Sequence, residues 1–184
     1  VASQLDVRDA AAVASFAEQV STRLGPIDLW INNSGSLEPI TFVRDLDPAA
    51  LQEHLNTNVI GVLNGSQSFV RHLRAREGEG VLINISSGAA RKGYAAWPAY
   101  CAGKAAVDRL TECVQLEEQD AGLRAYSVAP GIIDTAMQER IRSLTPEEFP
   151  MVNKFLQVKQ DEAFNSPAHV ATQLLSIAFG PPAA

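Results

Sequence analysis

The chain has 184 residues, 46% of them hydrophobic and 20% charged, a balance typical of one globular domain with a sizeable core. Its net charge of −6 gives no electrostatic basis for binding nucleic acid or an anionic membrane. The sequence contains no apolar run of the about 20 residues that a membrane span needs, and no Cys or His spacing that is typical of a metal site.

In the first half of the chain, strand patterns alternate with helix patterns. The segment ASQLDV predicts a strand, and apolar residues at helical spacing predict a helix over 9–24. The apolar run IDLWIN predicts a second strand, which ends at the polar turn NNSG of residues 32–35. A long helix is predicted over 49–76, with Asp47 and Pro48 at its start.

The second half of the chain continues this alternation. The run VLINIS predicts a strand, and a helix that Pro98 opens is predicted over 98–119. The run LRAYSVAP predicts the last strand, and prolines divide residues 135–178 into short predicted helices. Strands that alternate with long helices predict a parallel sheet that is covered by helices on both faces.

Three residues of the second half have side chains with complementary chemistry. A four-residue step places Tyr100 and Lys104 on one face of a helix, and Ser87 leaves the carboxyl end of a strand, where α/β folds bind ligands. A phenol has a pKa of about 10, and a nearby ammonium lowers it by favouring the phenolate. With a serine hydroxyl holding a carbonyl oxygen, the trio suits ketone reduction or its reverse. The alternative is a surface tyrosine packed along a lysine stem.

Three further motifs are weaker when taken singly. The NNSG turn offers amide side chains, and Pro130-Gly131, followed by Thr135, comes after the last predicted strand. Asn58 falls inside the long helix, although asparagine is a poor helix former. The structural alternatives are ordinary turns and, for Asn58, a solvent-facing polar residue. The functional interpretation of Asn58 is an amide that holds a water near Lys104.

In their order along the chain, these motifs resemble those of the short-chain dehydrogenase/reductase family. The residues and motifs that carry the resemblance are NNSG, Asn58, Ser87, Tyr100, Lys104 and PGIIDT. The resemblance extends from Leu5 to about Phe179. It implies an α/β fold in which residues 1–184 form a single, partial dinucleotide-binding domain, a Rossmann-type doubly wound parallel sheet with helices on both faces.

The resemblance also implies a catalytic role for four of these residues. Tyr100 would be the general acid in reduction, and Lys104 would lower the pKa of Tyr100 and hydrogen-bond the nicotinamide ribose. Ser87 would fix the substrate carbonyl. Asn58 would organise a water that relays protons.

Cofactor contacts are implied in the same way, with NADP as the favoured cofactor and NAD as the alternative. The implied contact residues are Asp6, Val7, Asn32, Asn33, Gly35, Tyr100, Lys104, Pro130, Gly131, Ile133 and Thr135. Among them, Asp6 and Val7 correspond to a pair that contacts adenine. Ile133 and Thr135 correspond to positions beside the nicotinamide.

Two features of the family are absent from this sequence. They are the glycine-rich turn that receives the pyrophosphate and the residue after the second strand that selects NAD or NADP. We therefore expect the sheet to lack the family's first two strands and its last strand, and the LDV strand to have no neighbour. We also expect the chain to be a fragment of a longer gene product that binds dinucleotide poorly.

Two segments suggest the substrate class. LEPITFVRDLDPAAL and DTAMQERIRSL resemble the sepiapterin-reductase and benzil-reductase branch of the family, in which residues 135–165 would be a lid over the substrate. The candidate pocket residues are Leu37, Tyr94, Trp97, Met137, Phe149, Met151 and Phe155. This apolar and aromatic set suits a flat ketone or diketone. The alternative is that these side chains pack loops onto the core.

The expected function is therefore an NADP-dependent carbonyl reductase of a small ketone or diketone, with no metal and a cytoplasmic location. The alternatives are reduction of an acyl-thioester or steroid ketone, and a non-catalytic remnant that only dimerises. The expected partner is a second copy, in a homodimer or homotetramer formed through helices 49–76 and 98–119, where Gly61 and Gly65 would permit close packing. Cys101 and Cys113 lie too far apart on one predicted helix to pair, and we expect buried free thiols.

Overall fold

Three parallel strands form the sheet, in the order β1 (Leu29–Asn32), β2 (Gly80–Ile85) and β3 (Leu123–Val128). The computed structural model describes residues 1–76 and 78–180. Asn32 pairs with Asn84 across β1 and β2, and β2 and β3 pair along their whole length. The carboxyl ends of all three strands therefore lie at one edge of the sheet, and the predicted parallel arrangement is confirmed.

Helices connect the strands and cover the sheet. The helices are α1 (Ala10–Leu24), α2 (Pro48–Leu55), α3 (Gly61–Arg76), α4 (Pro98–Glu118), α5 (Ala136–Arg142), α6 (Val152–Gln160) and α7 (Pro167–Phe179). Asp47 caps α2, as the sequence predicts. The Asp9 carboxylate accepts hydrogen bonds from the first turn of α1 in the same way, a cap that the sequence analysis did not predict. Within the described residues, no helix combines the length and the apolar composition that a membrane crossing requires.

The two faces of the sheet pack against different helices because side chains alternate along β2. On one face, Leu82 packs with Phe69 of α3 and Val114 of α4. On the other face, Val81 and Ile83 pack with the apolar side of α7. The sheet is thus covered on both faces, which is the layer arrangement of a Rossmann-type fold.

The long helix predicted over 49–76 is continuous but not regular. A π-helical turn, Asn56–Ile60, joins α2 to α3, and the Gly61 N–H donates to the Asn56 carbonyl. Asn58 lies at the centre of this turn and is fully buried. Turns of this kind are frequent at functional sites, and propensity alone does not predict them.

The predicted strand ASQLDV is wrong, because residues 2–7 have no regular secondary structure. No strand of the described residues lies beside this segment, so its backbone has no ladder to join. It is held instead by α3, where the Asn64 side chain donates to the Val7 carbonyl at 2.9 Å. Gly61 permits this approach, since a Cβ there would lie 2.6 Å from Val7 Cγ2.

The expectation that Gly61 and Gly65 pack against a second copy is also wrong. Both glycines face the interior, because a Cβ at Gly65 would lie 2.0 Å from Asn32 Oδ1. Their small size therefore brings α3 close to the sheet and to Val7. The two cysteines lie on α4 as free thiols, but neither is buried as expected, because Cys101 is half-buried and Cys113 is exposed.

Candidate active site

A cleft of about 410 Å³ opens at the carboxyl edge of the sheet, where β2 and β3 end. Its floor includes Ser86 and Ser87, which follow β2, and one wall carries Tyr100 and Lys104 of α4. The loop 129–135 after β3 forms another wall, and the turn after β1 reaches the cleft with Asn33 and Gly35. The fold thus brings the separate sequence motifs to one place.

Tyr100 and Lys104 lie one turn apart on α4, and both are buried, with 8% and 5% of their surface exposed. The Lys104 Nζ lies 5.8 Å from the centre of the Tyr100 ring. It also donates a hydrogen bond of 2.7 Å to the Ile85 carbonyl at the end of β2. The ammonium is therefore fixed beneath the phenol by a neutral backbone acceptor.

Burial governs the pKa of both side chains. Desolvation raises the pKa of Tyr100, and the interaction with the Ser87 hydroxyl opposes the rise. The pKa of Tyr100 therefore lies above its ordinary value, because desolvation of the phenolate outweighs the interaction with Ser87. The lowering effect of Lys104 stays a prediction. Desolvation also lowers the pKa of Lys104, from 10.5 to about 8, and Asp108 partly offsets it. At pH 7 the phenol is protonated and the ammonium is charged.

Ser87 occupies the turn between β2 and the rest of the cleft. Its backbone is extended, and its hydroxyl oxygen accepts a hydrogen bond of 3.2 Å from the Ala89 N–H. Ser87 and Tyr100 line the same cleft, and their side chains interact. Ser87 is therefore placed to hold an oxygen atom beside Tyr100.

Asn58 binds the loop that follows β1. Its Oδ1 accepts from the Ser36 N–H at 2.7 Å, and its Nδ2 donates to the Ser36 carbonyl at 2.7 Å. Nδ2 also lies 2.8 Å from Nε2 of His54. Both polar atoms of the amide are engaged within the protein, so the amide fixes the loop beside Lys104.

The predicted cofactor residues separate into two groups. Six of them line the cleft together with Tyr100 and Lys104: Asn33, Gly35, Pro130, Gly131, Ile133 and Thr135. Val7 lies instead in a neighbouring groove of about 420 Å³, which shares Asn33 with the cleft. Asp6 lies outside both spaces and pairs with Arg8 at 2.7 Å, which lowers the pKa of the Asp6 carboxyl to about 2.

Asn32 is half-buried and lines the neighbouring groove rather than the cleft. Its Oδ1 accepts from the Trp30 indole at 2.8 Å, and its Nδ2 donates to Asn84 Oδ1 at 2.8 Å. Asn84 in turn donates to the Thr111 hydroxyl of α4 at 2.9 Å. This buried polar chain joins β1, β2 and α4, and it was missed because two of its members lie inside apolar patterns.

The predicted pocket residues also divide. Five of them line the cleft: Leu37, Tyr94, Trp97, Met137 and Phe155. Phe149 and Met151 lie behind that wall, because Phe149 is fully buried and stacks on Trp97 with ring centres 4.4 Å apart. For these two the packing alternative holds, and Phe149 sets the position of the Trp97 ring.

Sequence reasoning missed three residues of this region. Gln138 and Lys154 line the cleft, from α5 and α6. Asn165 holds the loop after β3, since its Nδ2 donates to the Pro130 carbonyl and its N–H donates to the Ile132 carbonyl, each at 2.9 Å. Asn165 lies two residues before Pro167, which begins α7, and no sequence pattern there predicts a contact with the loop after β3.

Three residues that line the cleft have a buried polar side-chain atom with no hydrogen-bond partner among the described residues: Ser86 at Oγ, Trp97 at Nε1 and Gln138 at Oε1. The indole N–H is a donor, the amide oxygen is an acceptor, and the hydroxyl is both. Each unpaired buried group costs about 1–3 kcal/mol of stability. The packing around the cleft therefore contains polar groups that the protein itself leaves unpaired.

The residues present fit the nicotinamide end of a dinucleotide. Gly35 lets the turn after β1 lie close to Asn58 at the edge of the cleft, because a Cβ there would lie 3.3 Å from Asn58 Oδ1. Gly131 has a φ of 80°, a conformation that favours glycine, and it turns the loop carrying Ile133 and Thr135 into the cleft. An apolar surface thus faces a buried ammonium and a phenol.

Comparison with known proteins gives a consistent result. The sequence model of the family described as short chain dehydrogenase matches residues 1–145. Benzil reductase ((S)-benzoin forming) of Bacillus subtilis is 32% identical over 169 residues, which are 87% of this chain and 70% of that protein. The enzyme of the same name from Bacillus cereus is 30% identical over 149 residues, 80% of this chain and 60% of that protein.

Solved structures have the same architecture. The crystal structure of the KRED1-Pglu enzyme superposes with a TM-score of 0.87 at 26% identity. The match covers 97% of this chain and 74% of that one. The Rossmann-type fold extends over almost the whole chain.

Proposed function

Because this chain belongs to the short-chain dehydrogenase family, we propose that it is an NADPH-dependent reductase of a small ketone or diketone. The observation that carries the proposal is the meeting of Ser87, Tyr100 and Lys104 in one cleft. The likeness to two benzil reductases favours a carbonyl substrate. The choice of NADP over NAD rests on that likeness alone, and NAD is the alternative.

In the proposed reaction the protein handles the carbonyl oxygen and its proton. Bound NADPH supplies a hydride to the carbonyl carbon. Ser87 donates a hydrogen bond to the carbonyl oxygen and holds it beside the Tyr100 hydroxyl. As negative charge develops on that oxygen, the Tyr100 O–H bond breaks and the product O–H bond forms. The Lys104 ammonium stabilises the phenolate that remains, which then takes a proton from solvent.

The protonation states suit this direction of proton transfer. Burial raises the pKa of Tyr100, so the phenol holds its proton at pH 7 and is ready to donate it. Lys104 is the residue that would hold the ribose. Ile133 and Thr135 are the residues that would face the nicotinamide. Asn58 would support this end of the site by fixing the Ser36 loop.

The aromatic wall favours a flat, apolar substrate, and an aromatic diketone meets this condition. Residues 135–165 would act as a lid, since α5 and α6 supply Gln138, Lys154 and Phe155 to the cleft. A homodimer or homotetramer and a cytoplasmic location complete the proposal.

The test measures NADPH oxidation by the protein that contains these residues. Aromatic diketones, a steroid ketone and an acyl-thioester are compared, and we expect the diketones to be preferred. Tyr100→Phe is expected to reduce kcat by about 10²- to 10⁴-fold because it removes the donated proton. Nicotinamide fluorescence provides the control, because it measures whether the variant still binds NADPH.

Three other outcomes are informative. Preference for the steroid or the thioester supports the alternative substrate classes. Full activity of the Tyr100→Phe variant overturns the assignment of the acid. Absence of binding at millimolar NADPH favours the non-catalytic remnant.

A further inference from the structure

His54, on the last turn of α2, is the one histidine of the chain that is almost fully buried, with 3% of its surface exposed. Its Nδ1 lies 2.7 Å from the Glu38 carbonyl oxygen. Its Nε2 lies 2.8 Å from Nδ2 of Asn58, one helical turn further on. The ring is therefore held at both nitrogens, between a loop at the cleft and a candidate catalytic residue.

The hydrogen-bond partners fix every proton in this arrangement. The Ser36 N–H must donate and the Ser36 carbonyl must accept, so Oδ1 of Asn58 faces the former and Nδ2 faces the latter. The second N–H of Nδ2 then points at Nε2 of His54, which must accept it. The Glu38 carbonyl is only an acceptor, so Nδ1 of His54 carries the proton. The neutral His54 ring with its proton on Nδ1 is the only form that allows all four hydrogen bonds, two to Ser36, one to Glu38 and one between Asn58 and His54.

The packing around the ring leaves it little freedom. Gly103, which precedes Lys104 on α4, faces the imidazole, and a Cβ there would lie 3.1 Å from Nε2. The edge of the His54 ring meets the Tyr100 ring, with centres 6.2 Å apart and planes at 78°. His54 is thus in contact with the same helix that carries the candidate acid and ammonium.

We propose that His54 is a positioning residue of this active site. As a neutral ring protonated at Nδ1, it orients the Asn58 amide, and that amide holds the Ser36 backbone and the adjoining Gly35 turn against Lys104. The bond to Glu38 ties the same ring to the loop that carries Leu37 into the cleft. The effect on catalysis rests on the proposed function, whereas the arrangement of hydrogen bonds does not.

The groups around His54 favour the neutral ring. Lys104 faces it from α4 and Tyr100 presents an uncharged ring, while the Glu38 carboxylate turns away to Arg140 at 2.8 Å. Burial, followed by the charge of Lys104, lowers the pKa of His54 below its usual 6.5, although the bond to Glu38 opposes the change. A protonated ring would aim an N–H at the N–H of Asn58.

The first test observes the ring directly in the 184-residue chain. Two-bond proton–nitrogen correlation spectra of labelled histidine distinguish the two neutral tautomers and the imidazolium, and His54→Gln assigns the signal. At pH 7 we expect a neutral ring with the proton on Nδ1. A ring protonated on Nε2, or a charged ring, would overturn the proposal, whether or not the protein reduces any carbonyl.

The second test removes the two hydrogen bonds separately. His54→Gln places its side-chain oxygen near the Nε2 position and keeps an acceptor for Asn58, whereas His54→Asn places an amide near Nδ1 and keeps only a donor for Glu38. Each variant loses one hydrogen bond, so we expect similar losses of thermal stability. In the diketone assay, we expect His54→Asn to lose about 10-fold or more in kcat, with little change in KM, and His54→Gln to stay within about 3-fold of the wild type.

A structural role alone predicts a different pattern. If kcat falls equally in both variants, or follows their thermal midpoints, His54 does not act through Asn58 and the proposal is overturned. If the wild-type protein reduces none of the carbonyls, the proposed function fails. The tautomer observed in the first test then still decides whether His54 holds Asn58.

Discussion

Replacing Lys104 with methionine is expected to stabilise the fold while it removes activity. Methionine has a similar length and no charge, so it fills the buried space of the lysine stem. The Lys104 residue is 5% exposed, and the hydrogen-bond acceptor of its ammonium is the neutral Ile85 carbonyl. The wild-type protein therefore bears the cost of a buried charge at pH 7.

The magnitude of this cost follows from the pKa of Lys104. The pKa of Lys104 is 10.5 in the unfolded chain and about 8 in the folded protein, and this difference corresponds to a cost of roughly 3 kcal/mol for burying the charge. The hydrogen bond to Ile85 returns about 1 kcal/mol, and the variant loses it. We therefore expect Lys104→Met to raise the free energy of unfolding by about 2 kcal/mol at pH 7.

The sign of the pH dependence provides the control. Between about 8 and 10.5, the unfolded lysine holds its proton and the folded lysine has lost it, so the unfolded state binds more protons. The stability of the wild type must therefore rise with pH through this window. The advantage of the variant is complete below pH 8 and declines above it.

Urea unfolding of both proteins at pH 7 and pH 9.5 measures this difference. Taking the difference between the two proteins removes the titration of other groups, and stopping at pH 9.5 limits that of Tyr100. A variant that is less stable than the wild type by more than about 1 kcal/mol would refute the reasoning, because the lost hydrogen bond would then outweigh the buried charge. The reasoning would also be refuted if the stability difference between Lys104→Met and the wild type were the same at pH 7 and pH 9.5.

Two further predictions concern the support of the cleft. Phe149→Ala is expected to destabilise the fold by about 3–5 kcal/mol and to change the near-ultraviolet circular dichroism of the Trp97 stack, whereas Phe179→Ala, at an exposed position, changes neither. Thr111→Val is expected to cost about 1–3 kcal/mol in urea unfolding, because Asn84 loses its acceptor inside the core. The matched change at exposed Thr172 stays within about 0.5 kcal/mol, and equal effects at both threonines would contradict the argument.

The sequence predicts the main elements because their signals are local. The cap at Asp47 marks a helix start, and continuous apolar runs mark the three strands. Tyr100 and Lys104 lie together because a four-residue step on α4 fixes their relative position. Strand ends bring Ser87 to them, since parallel strands terminate at one edge.

The remaining features depend on contacts that are distant in sequence. The ASQLDV segment has the composition of a strand, but a strand exists only beside a partner. Phe149 and Phe155 are the same residue type and lie near each other in the sequence, yet Phe149 is buried against Trp97 and Phe155 reaches the cleft. His54 and Asn58 lie four residues apart, so the helix brings them together. The sequence does not show that their partners are Glu38 and Ser36, because those residues belong to a distant loop.

The two shifted pKa values of the cleft have a common cause and opposite consequences. Burial favours the neutral forms of Tyr100 and Lys104, so the phenol keeps its proton at pH 7. The pKa of Lys104 is still about 8, so its ammonium stays charged at pH 7, with the Ile85 carbonyl as its hydrogen-bond partner. When the phenol gives up its proton, a phenolate forms beside that ammonium, and each charge gains a counter-ion. In the proposed reaction, the site would therefore be better matched to the state after proton transfer than to the state before it, which is the condition for electrostatic catalysis. The charge of Lys104 would then favour the phenolate and oppose the rise that burial causes in the pKa of Tyr100.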